Sequence, residues 1–415
     1  MSTSMSPLAS KPAHIPVAAV YDFDMHADPA LLRDPHERVL ELLRQAPPVF
    51  WTPRNGGHWV AIGHAAVFQA SRDPANFSSE PMPREEMARQ AAMMPPGMPR
   101  IPQSVPISLD PPEHTKYRIP LQQAFSPKAV MARKEEVRAL ADSLIDAVIA
   151  QGHCDFIPAI AEPLPVQVFM KMMGLPLERQ AKFRQLVHEF MAPGMREPVE
   201  MARRLRMVAD AMLDVIKARK DDLKDDLISL LWKTQIDGKP MTLDTMEDYA
   251  VLLFIAGLDT VINGMGYGIR HLARNPDLQN RLRANPELIP EATEELLRRY
   301  TFTIPMRRVT KDTALEGWTI RAGEWVAIYL PGADLDKKEF EAPETFDINR
   351  SNKVHIAFGV GPHRCLGSHM ARLELQILYT RMLERLPTFR LDPEKPVKFH
   401  AGNIIAFDSL PLRWD

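Results

Sequence analysis

Proline occurs 38 times in this chain, twice as often as glycine, and that excess keeps regular elements short. Each proline lacks a backbone donor and clashes with the preceding helical turn, so such a chain must be assembled from many separate elements. Helical periodicity still dominates from about residue 128 to 386, at 130–151, 165–173, 179–191, 199–220, 244–274 and 286–299, with Pro or Gly at most of the ends. A shorter amphipathic helix is expected at 36–45. Two β-rich pieces, 49–52 and 58–62, flank Asn55-Gly56-Gly57 and read as a hairpin. A second β-rich zone covers 306–328, and apolar alternation returns at 403–412. The expectation is a mostly α protein with small β-sheets, folded as one large domain over 1–415.

Composition removes several classes. At 45% hydrophobic and 25% charged residues the chain has ample apolar material to bury, so disorder is excluded. The net charge of −2 lacks the basic excess of a nucleic-acid binder. The longest apolar run, 249–258, is closed by Asp259 and falls short of a membrane span. Residues 1–16 lack the apolar core of a secretory signal, so a cytoplasmic location is expected. One segment is unusual: 81–112 holds nine prolines together with Met82, Met87, Met93, Met94 and Met98. A linker would be polar. Methionine fills irregular apolar space, so this segment reads as an adaptable loop lying over something apolar.

The chain has two cysteines, Cys154 and Cys365, too few for a disulfide framework or a four-cysteine zinc site. Cys154 has no supporting constellation and reads as ordinary. Cys365 sits in Phe358-Gly359-Val360-Gly361-Pro362-His363-Arg364-Cys365-Leu366-Gly367, ahead of a helical run at 368–386. The three glycines let the backbone turn tightly and approach a flat ligand. A cysteine at a helix N-terminus beside Arg364 and His363 is expected to favour the thiolate. A buried, inert cysteine needs no such loop.

This ten-residue pattern resembles the haem-binding loop of the cytochrome P450 superfamily, and three further motifs follow in that family's order. The first is Glu295-Leu296-Leu297-Arg298; alone it is an ordinary helix ion pair worth ~0.2–0.5 kcal/mol. The resemblance implies that Glu295 and Arg298 lock onto Arg350 and hold the cysteine loop. The second is Ala256-Gly257-Leu258-Asp259-Thr260, inside a helix of about 30 residues for which Asp244 with Glu247 is the expected N-terminal cap. A buried helix has little reason to carry an Asp-Thr pair at its centre. Thr260 bonding back to the Ala256 carbonyl would bend the helix there. The resemblance implies that Ala256 and Gly257 open the helix for dioxygen, and that Asp259 and Thr260 deliver protons during its activation. The third motif, Asp110-Pro111-Pro112-Glu113-His114-Thr115-Lys116-Tyr117-Arg118, implies that His114 and Arg118 bind a haem propionate, joined by Arg307 and His355. Taken singly, each of these would be a solvated surface charge.

The cofactor implied is haem b, with Cys365 as its iron ligand and Phe358, Gly359, His363 and Gly367 shaping the loop around it. Residues 257–261, 294–299, 410–412 and 414–415, with Ala161-Glu162-Pro163, look like the bacterial camphor hydroxylases. Two departures matter: the position of the family's camphor-bonding tyrosine falls on Pro102, and Pro305 stands where the family carries an Asp ahead of Arg307. The expected substrate is therefore small, apolar and terpenoid- or norisoprenoid-like, with Leu252, Ile255, Thr303 and Ile404 as pocket candidates. The reaction implied is hydroxylation with dioxygen and two electrons. No flavin or iron–sulfur motif is present, so electrons must come from outside. The resemblance implies a [2Fe–2S] ferredoxin with an NADH-dependent reductase, docking near Arg118, Arg364 and Arg372. The alternative is a haem-thiolate peroxygenase, against which the Asp259–Thr260 pair argues. The expected lid is 81–112 with the helices of 179–220.

Overall fold

The computed structural model describes residues 4–93, 100–191 and 198–415. Helices make up most of it, with five small sheets beside them. The largest sheet has five strands in the order Val49–Thr52, His58–Ala61, Trp325–Ile328, Met306–Val309 and Phe77–Ser78. Its first hairpin turns through Asn55, Gly56 and Gly57, all at positive φ, which is why that tripeptide stands there. A three-stranded sheet joins Arg390–Leu391, Pro411–Arg413 and His153–Asp155. Its middle neighbour pairing buries Cys154 opposite Leu412, a structural position.

The central element is the helical run Leu243–Ala273. It is long and apolar enough to cross a membrane by composition, but most of it is packed inside the protein. Its cap is Thr242, whose hydroxyl accepts from the Thr245 amide at 3.2 Å. The expected cap, Asp244, lies instead in the first turn, 3.7 Å from Arg100. A hydroxyl one residue outside the helix reaches the free amides better than a carboxylate already within it. The run is interrupted at Leu258, dividing it into Leu243–Gly257 and Asp259–Ala273. Each half belongs to a different apolar cluster. Residues from Met246 to Leu258 pack with Phe169, Phe183, Phe190 and Met212, whereas Val261 to Ala273 pack with Ile145, Phe156, Leu378 and Phe407. The helix therefore loosens at the seam between two cores.

Other expected helices break where proline or packing requires. The 130–151 element is Pro127–Met131 followed by Lys134–Ile149, and 199–220 is Pro198–Asp210 followed by Leu213–Asp221. The methionine- and proline-rich segment contains a helix, Arg84–Ala92, that its composition did not announce; Met94 and Met98 lie outside the described residues.

One buried network ties the helix Ile289–Arg299 to the chain leading toward Cys365. Arg298 donates to both oxygens of Glu295 at 2.8 Å, and Arg350 donates to the same carboxylate at 3.1 and 3.3 Å. Glu295 also accepts from the Asp347 amide at 3.0 Å. The remaining guanidinium donors go to the carbonyls of Asp334, Ala342, Pro343 and Thr345. All three side chains are buried. Removing the single anion from such a site strands two cations out of water. Glu295→Ala should therefore destabilise the protein by about 3–5 kcal/mol, read as a shifted denaturation midpoint, and a near-neutral effect would refute the network's role.

Candidate functional site

The loop Phe358–Gly367 is held by its own backbone. The Gly359 amide donates to Ile356 O at 2.7 Å, Arg364 to Gly361 O at 3.1 Å and Cys365 to Phe358 O at 2.8 Å. Gly361 is needed twice over: its φ is +81°, and a Cβ there would lie 2.5 Å from the Ser71 carbonyl oxygen. Gly359 is also left-handed, at +69°. Gly367 has an ordinary negative φ and serves as the N-cap of Ser368–Arg385, directly beyond Cys365.

The Cys365 side chain has a large accessible surface, yet burial raises its thiol pKa. The Gly367 amide and the charges of Arg118, Arg372 and Arg364 pull the pKa down, but desolvation prevails. This corrects the expectation that the helix end and nearby cations alone favour the thiolate. A coordinated metal ion would deprotonate the thiol outright.

The interruption of the central helix has the matching character. Ala256 is exposed although Val251–Phe254 and Leu258 around it are buried, and a Cβ on Gly257 would meet nothing within 4 Å. Leu366, beside Cys365, packs on the same apolar cluster as Ile255, so the loop and the helix middle border one region. Thr260 Oγ1 donates to Ala256 O at 2.9 Å, the back-bond that accompanies the bend. Asp259 is deeply enclosed: burial raises its pKa, while the charge of His400 and a bond from Asn263 oppose the shift. Its Oδ2 has no hydrogen-bond partner among the described residues.

Basic side chains gather at the same loop. His363 accepts or donates to Ser79 Oγ at 2.9 Å, and its ring lies 4.3 Å from that of His114. Burial and neighbouring cations hold His363 down to about 2 and His114 to about 4, so both rings are neutral. His114 Nδ1 is buried without a partner. Arg307 is enclosed enough for burial to lower its pKa to about 10, and the bond given for its guanidinium is to its own neighbour, Met306 O, at 2.8 Å. Arg118 reaches Arg364 O at 2.6 Å. One enclosed guanidinium, one partly buried guanidinium and a buried imidazole nitrogen with no partner among the described residues are donors suited to a carboxylate.

Two expected members are placed differently. His355 spends both ring nitrogens within the protein: Nε2 lies 3.1 Å from Glu294 Oε2, and Nδ1 accepts from the Ala357 amide at 3.2 Å. Arg372 is bound through two donors to Glu294 at 2.6 and 2.7 Å and lies over the Phe358 ring at 4.5 Å. Glu294, unnoticed as a functional residue in the sequence, thus braces the loop from outside; its place beside Glu295 was the available signal. Of the three arginines expected to meet a redox partner, Arg364 is the exposed one.

The four pocket candidates fall into two pairs. Leu252 and Ile255 lie one turn apart on the central helix, and Thr303 bridges Ile404 across the end of the chain. Pro102 is buried, and the neighbouring Gln103 amide and Arg100 guanidinium are both fastened to Asp248 on the central helix, the former at 2.8 Å.

With this geometry in view, the comparisons with known proteins are decisive. The family model described as Cytochrome P450 matches residues 163–411. The chain belongs to the cytochrome P450 family. Its relatives include a steroid C26-monooxygenase of Mycolicibacterium smegmatis, 34% identical over 89% of this chain and 90% of the relative. Linalool 8-monooxygenase of Pseudomonas putida is 28% identical over 86% of this chain and 90% of its own length. The crystal structure of cytochrome P450 CYP101C1 superposes with a TM-score of 0.88 at 32% identity, covering 98% of this chain and all of that one. Cytochrome P450 enzymes are haem b monooxygenases. The residues here fit that group: an accessible thiol on a glycine loop, a helix whose middle exposes Ala256, and basic side chains beside a buried imidazole nitrogen that has no partner among the described residues.

Proposed function

We propose that this P450 hydroxylates a small apolar, terpenoid-like substrate, using dioxygen and two electrons from an external [2Fe–2S] ferredoxin served by an NADH-dependent reductase, in the cytoplasm. The observation that carries the reading is the opened helix middle, where exposed Ala256 and space above Gly257 adjoin the enclosed Asp259 and Thr260. Haem, when bound, supplies dioxygen activation and oxygen insertion into a C–H bond.

Cys365 Sγ is the iron ligand in this reading, held by the Phe358–Gly367 loop and braced by Glu294 and Glu295. Arg118, Arg307 and His114 take the propionates, with the neutral His363 ring supporting His114. His355 acts through Glu294 instead. Asp259 passes a proton on to Thr260, which exchanges its idle bond to Ala256 O for one that holds that proton at its hydroxyl. A carboxyl whose pKa is raised by burial is suited to give up a proton near neutral pH. Leu252, Ile255, Thr303 and Ile404 orient the substrate and exclude water. Access runs through 81–112, whose Arg100 and Gln103 are latched to Asp248. The apolar lining and the name of the linalool-acting relative support a terpenoid. The steroid-acting relative marks the larger apolar alternative. Among the three loop arginines, exposed Arg364 is best placed to meet an acidic ferredoxin.

Three outcomes are expected. Cys365→Ser should remove the carbon-monoxide difference band typical of thiolate haem; its survival would refute the ligand assignment. Thr260→Ala should consume reductant while releasing peroxide, lowering product per electron pair, and unchanged coupling would refute the proton role. In spin-state titrations, small cyclic terpenoids should shift the haem more than camphor, because Pro102 offers no donor for a ketone. A strong camphor response would overturn the Pro102 argument, and a response to steroids alone would overturn the terpenoid assignment.

A further inference from the structure

The hairpin Lys398–His400 with Ala406–Ser409 sits against the second half of the central helix. Tyr267 OH donates to Ile405 O at 3.1 Å, and the Phe407 amide donates to Asn263 Oδ1 at 2.9 Å. Gly266 allows this docking, since a Cβ there would lie 2.7 Å from the Phe407 ring. The same Asn263 donates to the Asp259 carbonyl at 2.8 Å and approaches its carboxylate at 3.5 Å. One side chain therefore registers the hairpin against Asp259.

The ladder has an irregularity of consequence. Phe399 faces Phe407 but Lys398 faces Ser409, so Asp408 is the extra residue of a bulge. Bulges re-aim side chains. This one aims Asp408 Oδ1 at His400 Nδ1, 2.7 Å away. Both side chains are about half exposed, at 42% and 52%, whereas Asp259 is enclosed. His400 and Asp259 feel each other's charge without a direct hydrogen bond, and Asp259 Oδ2 has no partner among the described residues. Two polar groups that interact without a direct bond are commonly joined by a bridging water.

We propose that His400, aimed by Asp408, feeds protons from the solvent side to Asp259. The inference rests on the Asp259–Thr260 proton role proposed above. His400 is a positioning residue, acting on the reaction only through Asp259. In each transfer the imidazolium loses one proton through the bridging water to the Asp259 carboxylate and regains one from bulk water, with Asp408 remaining ionised. No electrons move in this step.

The electrostatics agree with the geometry. Burial works against a charged His400 ring, but the Asp408 hydrogen bond and the charges of Asp408 and Asp259 outweigh it and leave the pKa raised. Lys398 on the same hairpin acts on Asp408, and His26 from the N-terminal segment lies against Gly402 nearby. An exposed His–Asp pair serving stability alone contributes little and need not be coupled to a buried acid.

Two measurements on the haem-loaded enzyme decide the matter. In the diamagnetic ferrous carbon-monoxide form, the His400 titration is followed by NMR with 15N-labelled histidine. Asp259→Asn should lower the His400 pKa, because it deletes a coupled negative charge; an unmoved titration overturns the proposal. In turnover, His400→Phe and Asp408→Asn should lower product per electron pair by up to about tenfold. They should also enlarge the solvent isotope effect and shift the pH profile, while Asp408→Glu restores all three. Unchanged coupling and an unchanged pH profile in both variants, with Thr260→Ala still uncoupling, overturns the feed and leaves the Asp259–Thr260 role intact. A coupled Thr260→Ala enzyme refutes that role itself, and the proton-feed assignment falls with it.

Discussion

Glu295 is the residue on which the rest of the site depends. A buried carboxylate with two guanidiniums is stable only because every remaining donor is satisfied, and the acceptors are backbone carbonyls of the chain approaching the cysteine loop. The arrangement converts an unfavourable burial of charge into a fixed geometry. Arg298 carries it further. Its bond to the Asp334 carbonyl places a residue whose side chain accepts from Thr301 and from the Ile356 amide, three residues before Gly359. Glu294, one position earlier, reaches the other side of the loop through His355 and Arg372. One helical turn thus clamps the loop from two directions.

What the clamp holds is a thiol in a place where burial disfavours the charged thiolate. Desolvation raises Cys365, and the surrounding cations only partly compensate. The same imbalance recurs around it: Arg307 is pushed down by burial, His114 carries an unmatched nitrogen, and Asp259 carries an unmatched oxygen. Local rules broken in this way are expected at functional sites. The central helix shows this on the scale of whole elements. Its two halves belong to different apolar clusters, and the interruption falls where one cluster gives way to the other.

The residues that lay legible in the sequence are those whose chemistry is local. The cysteine loop announces itself through glycines that φ and close approach require, the hairpin at 55–57 through left-handed residues, and Thr260 through its i−4 acceptor. These need only neighbours in the chain. The Glu295–Arg298 pair was visible locally, but its separation from surface pairs such as Glu135–Arg138 rests on Arg350, fifty-odd residues away. Other contacts were not legible because they are competitions that only folding resolves. His355 and Arg372 look free in sequence because nothing local says that Glu294 takes both. Asp244 looks like a cap until Thr242 is seen to reach the Thr245 amide first. The thiolate expectation counted positive charge and left out desolvation, which depends on how much protein closes over the loop.

Distance along the chain also explains why the hairpin near the C-terminus gave no signal. His400 and Asp408 are separated by a turn, and their geometry depends on a bulge that no residue type encodes. Asp259 lies far upstream, on a helix that meets the hairpin only because Gly266 is bare and Asn263 bonds in both directions. Isolated, the His–Asp pair is one more surface contact. It gains meaning from what it faces: an acid enclosed by the fold, raised by burial, with one oxygen left open. A buried acid that must give up protons repeatedly also needs a route by which they return. In this chain the half-exposed imidazole is the titratable group that both reaches solvent and senses that acid. Under the proposed mechanism the opened helix and the bulged hairpin are two parts of one arrangement, the first admitting the reactant and the second replenishing what it consumes.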